Sequence, residues 1–398
     1  MKSSELVSGL IVLLLLVTDT SDLLAQEYMF NYDPEKPLLL NTSIQIEANK
    51  AVNNIYNFNF EEAQQKFKWL KQQYSWHPLP YFLLGLSYWW RIEPNTNVKT
   101  YDEPFVAYMD SAIYFAEQIY QDNEEDPESA FFLSAAYGFK GKLYAYRENW
   151  TKATFAGKNA LDYLEICKGR DDFSPELQFG DALYNYYAEW IPEHYGILKP
   201  ILMFFPDGDK QLGIQQMREV SNNAFYTRTE AKYFLMRMLY DERKYIRARE
   251  VARYLHEAFP NNPNFQRYYA RLLYSTGNYN EAEKVSLDII QKIDSGRSGY
   301  EGTSGRYAAF FLGQIYERGR NNNKAEYYYE RAVEFGYEVS ATDKGYFLYS
   351  LLNQAQIAEK NGKDEKAKSY YKQVKKFARR RQDVHREARR GLRELRRS

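Results

Sequence analysis

From Leu312 to Ala332 the chain reads LGQIYERGRNNNKAEYYYERA. Leu312, Gly313 and Tyr316 share a face of one helix, and Ala325, Tyr329 and Ala332 follow at i+4 and i+7 along the buried stripe of a second. Each residue type has a packing reason. Gly313 and Ala325 are small enough to let the two helices touch, while Tyr316 fills the space beside them.

The same marks recur outward from this unit. Gly277, Tyr279 and Ala282 give a turn and the start of a second helix, and before them Ala248, Ala252, Leu255 and Pro260 give another second helix and the proline that stops it. Ala248 to Ala282 is 34 residues, the period of the tetratricopeptide repeat. The longer spacing from Ala282 to Ala325 is taken up by the Gly/Ser-rich stretch 295–305. Gly362, Ala367 and Tyr371 mark a later unit; Leu84, Gly85 and Tyr88 with Ala112 and Ala116, Ala63 with Phe67, and Ala153 with Ala160 mark earlier ones. About seven helix pairs are expected on this count. Over most of residues 44–380 the chain resembles the tetratricopeptide repeats. The resemblance implies an all-α, right-handed superhelical solenoid whose inner helices line a concave groove for an extended peptide or a partner helix. Periodicity agrees, because past Pro37 apolar residues recur at helical spacing and no alternating run is bounded by hairpin turns.

One stretch departs from the pattern. Between Gln178 and Met217 the run Phe179-Gly180-Asp181-Ala182-Leu183-Tyr184-Asn185 is followed by Ile191-Pro192, the apolar residues Ile201 to Phe205, Gly208-Asp209 and Leu212-Gly213. These forty or so residues resemble the tetratricopeptide-repeat 39 family, which includes the fungal inclusion-body-clearance proteins; an extra Pro206-Asp207 lengthens the turn before Gly208. That resemblance implies peripheral association with lipid.

Composition bounds the rest. With 44% hydrophobic residues, 21 Gly and 13 Pro the chain is globular, and its 38 Tyr suit stacked helices, where a ring packs and a hydroxyl reaches a groove. Formal charge is zero, so no monopole draws the chain to nucleic acid. The last residues nevertheless carry a strong basic excess. The first read as an export signal, with Lys2, the apolar run Leu6 to Val17 and the small Ala25 as cleavage point. Cys167 is the only cysteine, so no internal disulfide forms and stability rests on packing. The expected organisation is a signal peptide over 1–25, an extended segment over 26–43, a solenoid over 44–380 with an irregular insert at 191–207, and a basic C-terminal capping helix over 381–398.

No constellation for catalysis stands out. His77, His194, His256 and His385 are unpaired at helical spacing, Asp207-Gly208-Asp209 lacks the further ligands of a calcium loop and reads as a capped turn, and no phosphate loop or nucleophile elbow occurs. No catalytic, metal or cofactor residue is therefore assigned. Asn41-Thr42-Ser43 and Asn149-Trp150-Thr151 match glycosylation acceptors, the second at an inter-helix turn. Candidate groove residues for a protein or peptide partner are Asn185, Arg271, Gln314 and Asn353. At the C-terminus Phe377, Val384, Ala388, Leu392 and Leu395 form an apolar stripe that caps the last repeat, leaving Arg389, Arg390, Arg393 and Arg396 for an anionic surface. The expected function is a non-catalytic, exported (periplasmic or extracytoplasmic) scaffold, the alternative being a peripheral membrane protein of the family-39 kind.

Overall fold

Short polar side chains start most of the helices. Asn41, Asp126, Asn149, Asp209, Asn262 and Asn321 each accept a hydrogen bond from a backbone N–H in the first turn that follows. Both glycosylation triplets thus begin with a helix cap. The computed structural model describes residues 37–396 apart from 171, 197–198, 200–202 and 204, and 17 α-helices and no strand occur among the described residues.

The helices follow one another as pairs, each packed on its sequence neighbour. They are α1 (Thr42–Tyr56) with α2 (Phe60–Gln73), α3 (Pro78–Ile92) with α4 (Asp102–Asp122), and α5 (Pro127–Tyr146) with α6 (Trp150–Cys167). Next come α7 (Gln178–His194) with α8 (Lys210–Asn223), α9 (Arg228–Asp241) with α10 (Tyr245–Ala258), and α11 (Pro263–Ser275) with α12 (Tyr279–Asp294). The last are α13 (Gly302–Arg318) with α14 (Asn322–Glu338) and α15 (Gly345–Lys360) with α16 (Asp364–Phe377), and α17 (Asp383–Glu394) closes the stack. Successive first helices also touch, as α11 with α13 and α13 with α15, which makes the stack a solenoid.

The turn inside a pair asks for a left-handed residue five positions before the leading alanine of the second helix. Gly277 and Gly362 supply it at φ 77° and 66°, but Phe58, Glu148, Arg243 and Arg320 occupy the same position at φ 64°, 57°, 56° and 58°. Glycine is therefore an incomplete marker of these turns.

Three findings go beyond the sequence reading. The Gln178–Met217 stretch is itself a helix pair, so the described residues hold eight pairs where seven were expected. Its helices touch backbone to backbone: a Cβ on Gly213 would stand 2.7 Å from the Tyr186 nitrogen and 2.8 Å from the Ala182 oxygen. Asp209 caps α8 as expected of a turn, and α7 carries Pro192 inside its last turn. Residues 197–198, 200–202 and 204 of the apolar run lie outside the described residues, as do the 1–25 signal and most of 26–43; residues 38–40 form a 3-10 turn, not an extended segment.

The third finding is that the solenoid closes on itself. Tyr56 of α1 and Trp90 of α3 pack into the middle repeats, with ring centroids 5.5 Å from Phe259, 5.4 Å from Tyr233 and 5.3 Å from Phe265. Both donate hydrogen bonds of 3.2 Å to the same oxygen of buried Glu230 on α9. The connection after α3 extends the seam, with Arg267 donating to the Pro94 carbonyl at 3.1 Å, Asn95 to Glu301 at 3.0 Å and Asn97 to the Val339 carbonyl at 3.4 Å. One apolar cluster in consequence runs from Leu38 to Ile357. A second joins α15, α16 and α17, where Val384, Ala388 and Leu395 are buried and Phe377 and Leu392 pack beside them. The C-terminal helix is a cap, its arginines outward.

Candidate functional site

The inner surface is built by the first helices of the pairs. In five of the pairs the position eleven residues before the leading alanine of the second helix is polar, with Lys142 before Ala153, Arg237 before Ala248, Arg271 before Ala282, Gln314 before Ala325 and Gln356 before Ala367. A helix face repeated at this register stacks like upon like along the solenoid. Lys142, Arg237 and Arg271 therefore form a cationic line across α5, α9 and α11.

The three cations are held differently. Lys142 donates to Glu93 at 2.8 Å and lies 4.5 Å from the Trp89 ring centroid. Arg237 stands among Tyr146, Tyr187, Tyr233 and Tyr268, its guanidinium 5.6 Å from the Tyr233 ring. Arg271 sits 4.2 Å over the Tyr240 ring, with Tyr268, Tyr307 and Tyr346 around it. Among the described residues neither arginine has a carboxylate at ion-pair distance; Asp241, whose pKa is raised by burial, is the acid that senses both. Burial lifts the hydroxyls of Tyr187 and Tyr240 above the ordinary phenolic range and that of Tyr346 to about 12, so all remain neutral hydrogen-bond donors near neutrality.

The four candidate groove residues do not converge. Asn185 donates to Gln216 of α8 at 2.8 Å and lines a crevice beside Pro206 and Asp207. Gln314 accepts from Tyr274 at 3.2 Å and donates to the Tyr329 hydroxyl at 2.7 Å, and Asn353 stands beside that same hydroxyl. Only Arg271 belongs to the cationic line. Arg237 was missed in the sequence, although it precedes Arg271 by the 34 residues that separate Ala248 from Ala282. Arg389, Arg390, Arg393 and Arg396 are all exposed on or just after α17.

Among the described residues no group of three or more His, Cys, Asp or Glu is placed to hold a metal ion, and no helix is long and apolar enough to cross a membrane. The family model of the tetratricopeptide repeat matches residues 239–292, from the end of α9 through most of α12. No curated protein matches the sequence. Among solved structures, yeast Tom70 is 13% identical, covering 89% of this chain and 74% of that one with a TM-score of 0.37. The C-terminal part of a TPR repeat-containing protein from Cytophaga hutchinsonii is 16% identical, covering 87% and 99% with a TM-score of 0.27.

Proposed function

We propose that this repeat protein is a non-catalytic scaffold that holds an acidic segment of a protein partner against its inner face. The observation that supports this reading is the line of Lys142, Arg237 and Arg271, in which two guanidinium groups are ringed by tyrosines and have no carboxylate at ion-pair distance among the described residues. A guanidinium recessed without a counter-ion gains most from a partner's carboxylate, which it can bind through two parallel hydrogen bonds. The test is affinity capture with the parent protein and with an Arg237→Gln, Arg271→Gln double variant, followed by mass spectrometry and a salt titration of the captured partner. The parent should retain a partner that the double variant loses, with steeper salt dependence in the parent. Equal retention by both proteins sinks the proposal.

A second reading, peripheral attachment to an anionic membrane as the family-39 resemblance implies, is favoured by the exposed arginines of α17. Replacing Arg389, Arg390, Arg393 and Arg396 with Gln should abolish flotation with anionic liposomes while leaving the cap folded; unchanged flotation removes this reading. Export belongs to the same proposal, and N-terminal sequencing of the mature protein should begin at Gln26. Recovery of an intact Met1 on cytosolic protein overturns it.

A further inference from the structure

The third and fourth helix pairs are not sealed as the others are. Residues 168–177 intervene, α6 and α7 touch only sparingly, and an apolar cleft of about 260 Å³ opens between α5, α6 and α7. Its room comes from small residues on all three helices: Ala135 and Gly138 on α5, Ala160 on α6 and Gly180 on α7. A Cβ added at Gly138 would meet no atom within 4 Å. Phe131 and Leu164 line the rest, and the Ser134 hydroxyl is spent on the Ala160 carbonyl at 2.9 Å, so the walls present little to water.

The cleft is apolar along its length and cationic at one end. That end is the Phe234 ring, with the Lys142 ammonium 4.9 Å and the Arg237 guanidinium 6.0 Å from its centroid. Tyr187 lines the cleft and lies within electrostatic reach of both cations. Lys142 is answered by Glu93 at 2.8 Å, whereas Arg237 has no carboxylate at ion-pair distance among the described residues. The acids facing this end are Glu93, buried Glu230 and, one turn beyond Arg237, Asp241.

We propose that the cleft binds a single-chain amphiphile with an anionic head, a fatty-acid carboxylate. The apolar chain lies between α5, α6 and α7, where it covers surface that is otherwise exposed to water. The carboxylate meets Arg237 at the inner end, a recessed cation with no carboxylate at ion-pair distance among the described residues. Charge complementarity at this end distinguishes a fatty acid from a neutral apolar ligand.

Calorimetric titration of the folded full chain with sodium dodecanoate below its micelle concentration tests the assignment, with dodecanol as the headless control. The parent should bind dodecanoate saturably at one site. Gly138→Leu starts its side chain from open space at the cleft wall, so it should weaken binding by about tenfold or more with no loss of melting temperature. Arg237→Gln should weaken dodecanoate by about tenfold and leave dodecanol unchanged, because only the head group contacts that position. Absence of saturable dodecanoate binding overturns the proposal, as does equal binding by parent and Gly138→Leu. A Gly138→Leu variant that melts earlier also overturns it, since the cleft is then filled by the chain itself. Loss of dodecanoate and dodecanol alike in Arg237→Gln refutes the head-group assignment.

Discussion

Replacing Glu230 by Gln should make the protein more stable in mildly alkaline solution and change little in mild acid. Glu230 is 3% exposed, one carboxyl oxygen accepts from Tyr56 and Trp90 at 3.2 Å each, and the other has no hydrogen-bond partner among the described residues. Burial, with Glu93 nearby and against the pull of Lys142, raises its pKa from 4.5 to about 7. The unfolded chain gives up this proton near 4.5 while the native protein keeps it to about 7, so between these values the native state binds more protons. Stability therefore falls as pH rises through this window, and the loss is complete above it. A shift from 4.5 to about 7 corresponds to a loss of about 3 kcal/mol. Gln keeps the shape and the accepting oxygen without the charge. Unfolding free energies of parent and Glu230→Gln from urea titrations should nearly coincide at about pH 4 and separate by up to about 3 kcal/mol, in favour of Gln, at about pH 8. Because Tyr56 and Trp90 lie on α1 and α3, hydrogen exchange should show the parent's loss of protection first in those helices. Parallel curves for the two proteins, or a Gln variant weaker at high pH, would refute the assignment of Glu230 as a protonated group that joins the first two helix pairs to the middle of the solenoid.

Gly313→Leu should cost about 1–3 kcal/mol by overpacking, since a Cβ there stands 2.5 Å from the Tyr329 ring; an unchanged melting temperature refutes the helix contact. The damage should spread to the flanking pairs, as stability in a repeat array is shared between neighbours. Deleting residues 383–398 uncovers Tyr371, which packs on Gly391, and opens the apolar cluster of α15 and α16, so the truncated protein should melt earlier and self-associate, and a monomer of parental stability by light scattering denies the capping role. Burial pushes the Cys167 thiol up to about 12, with Asp181 adding to the rise, so it should resist alkylation at mildly alkaline pH until denaturant is added; rapid labelling of the native protein contradicts this burial.

Local chemistry made much of the solenoid legible. Small residues at Gly313, Ala325 and Ala367, the stripe from Phe377 to Leu395 and the cap at Asp209 act through neighbours a few residues away, and their spacing carries the information. The eighth pair escaped the repeat count because Gly213 takes the place of an alanine and a long connection breaks the period. Four of the turns are marked in the sequence only by the alanine that follows them, at Ala63, Ala153, Ala248 and Ala325, because Phe58, Glu148, Arg243 and Arg320 adopt the left-handed backbone themselves. Arg237 shares a register with Arg271, yet spacing alone does not distinguish a recessed cation from a solvated one. Tertiary structure decides that, by surrounding Arg237 with tyrosines from other helices. It alone also decides the closure of the solenoid, in which Tyr56 reaches Glu230 across 174 residues of chain. Such contacts follow from the accumulated rotation of every intervening pair. No local pattern encodes that sum, so a chain legible repeat by repeat still leaves its inner face to be found in three dimensions.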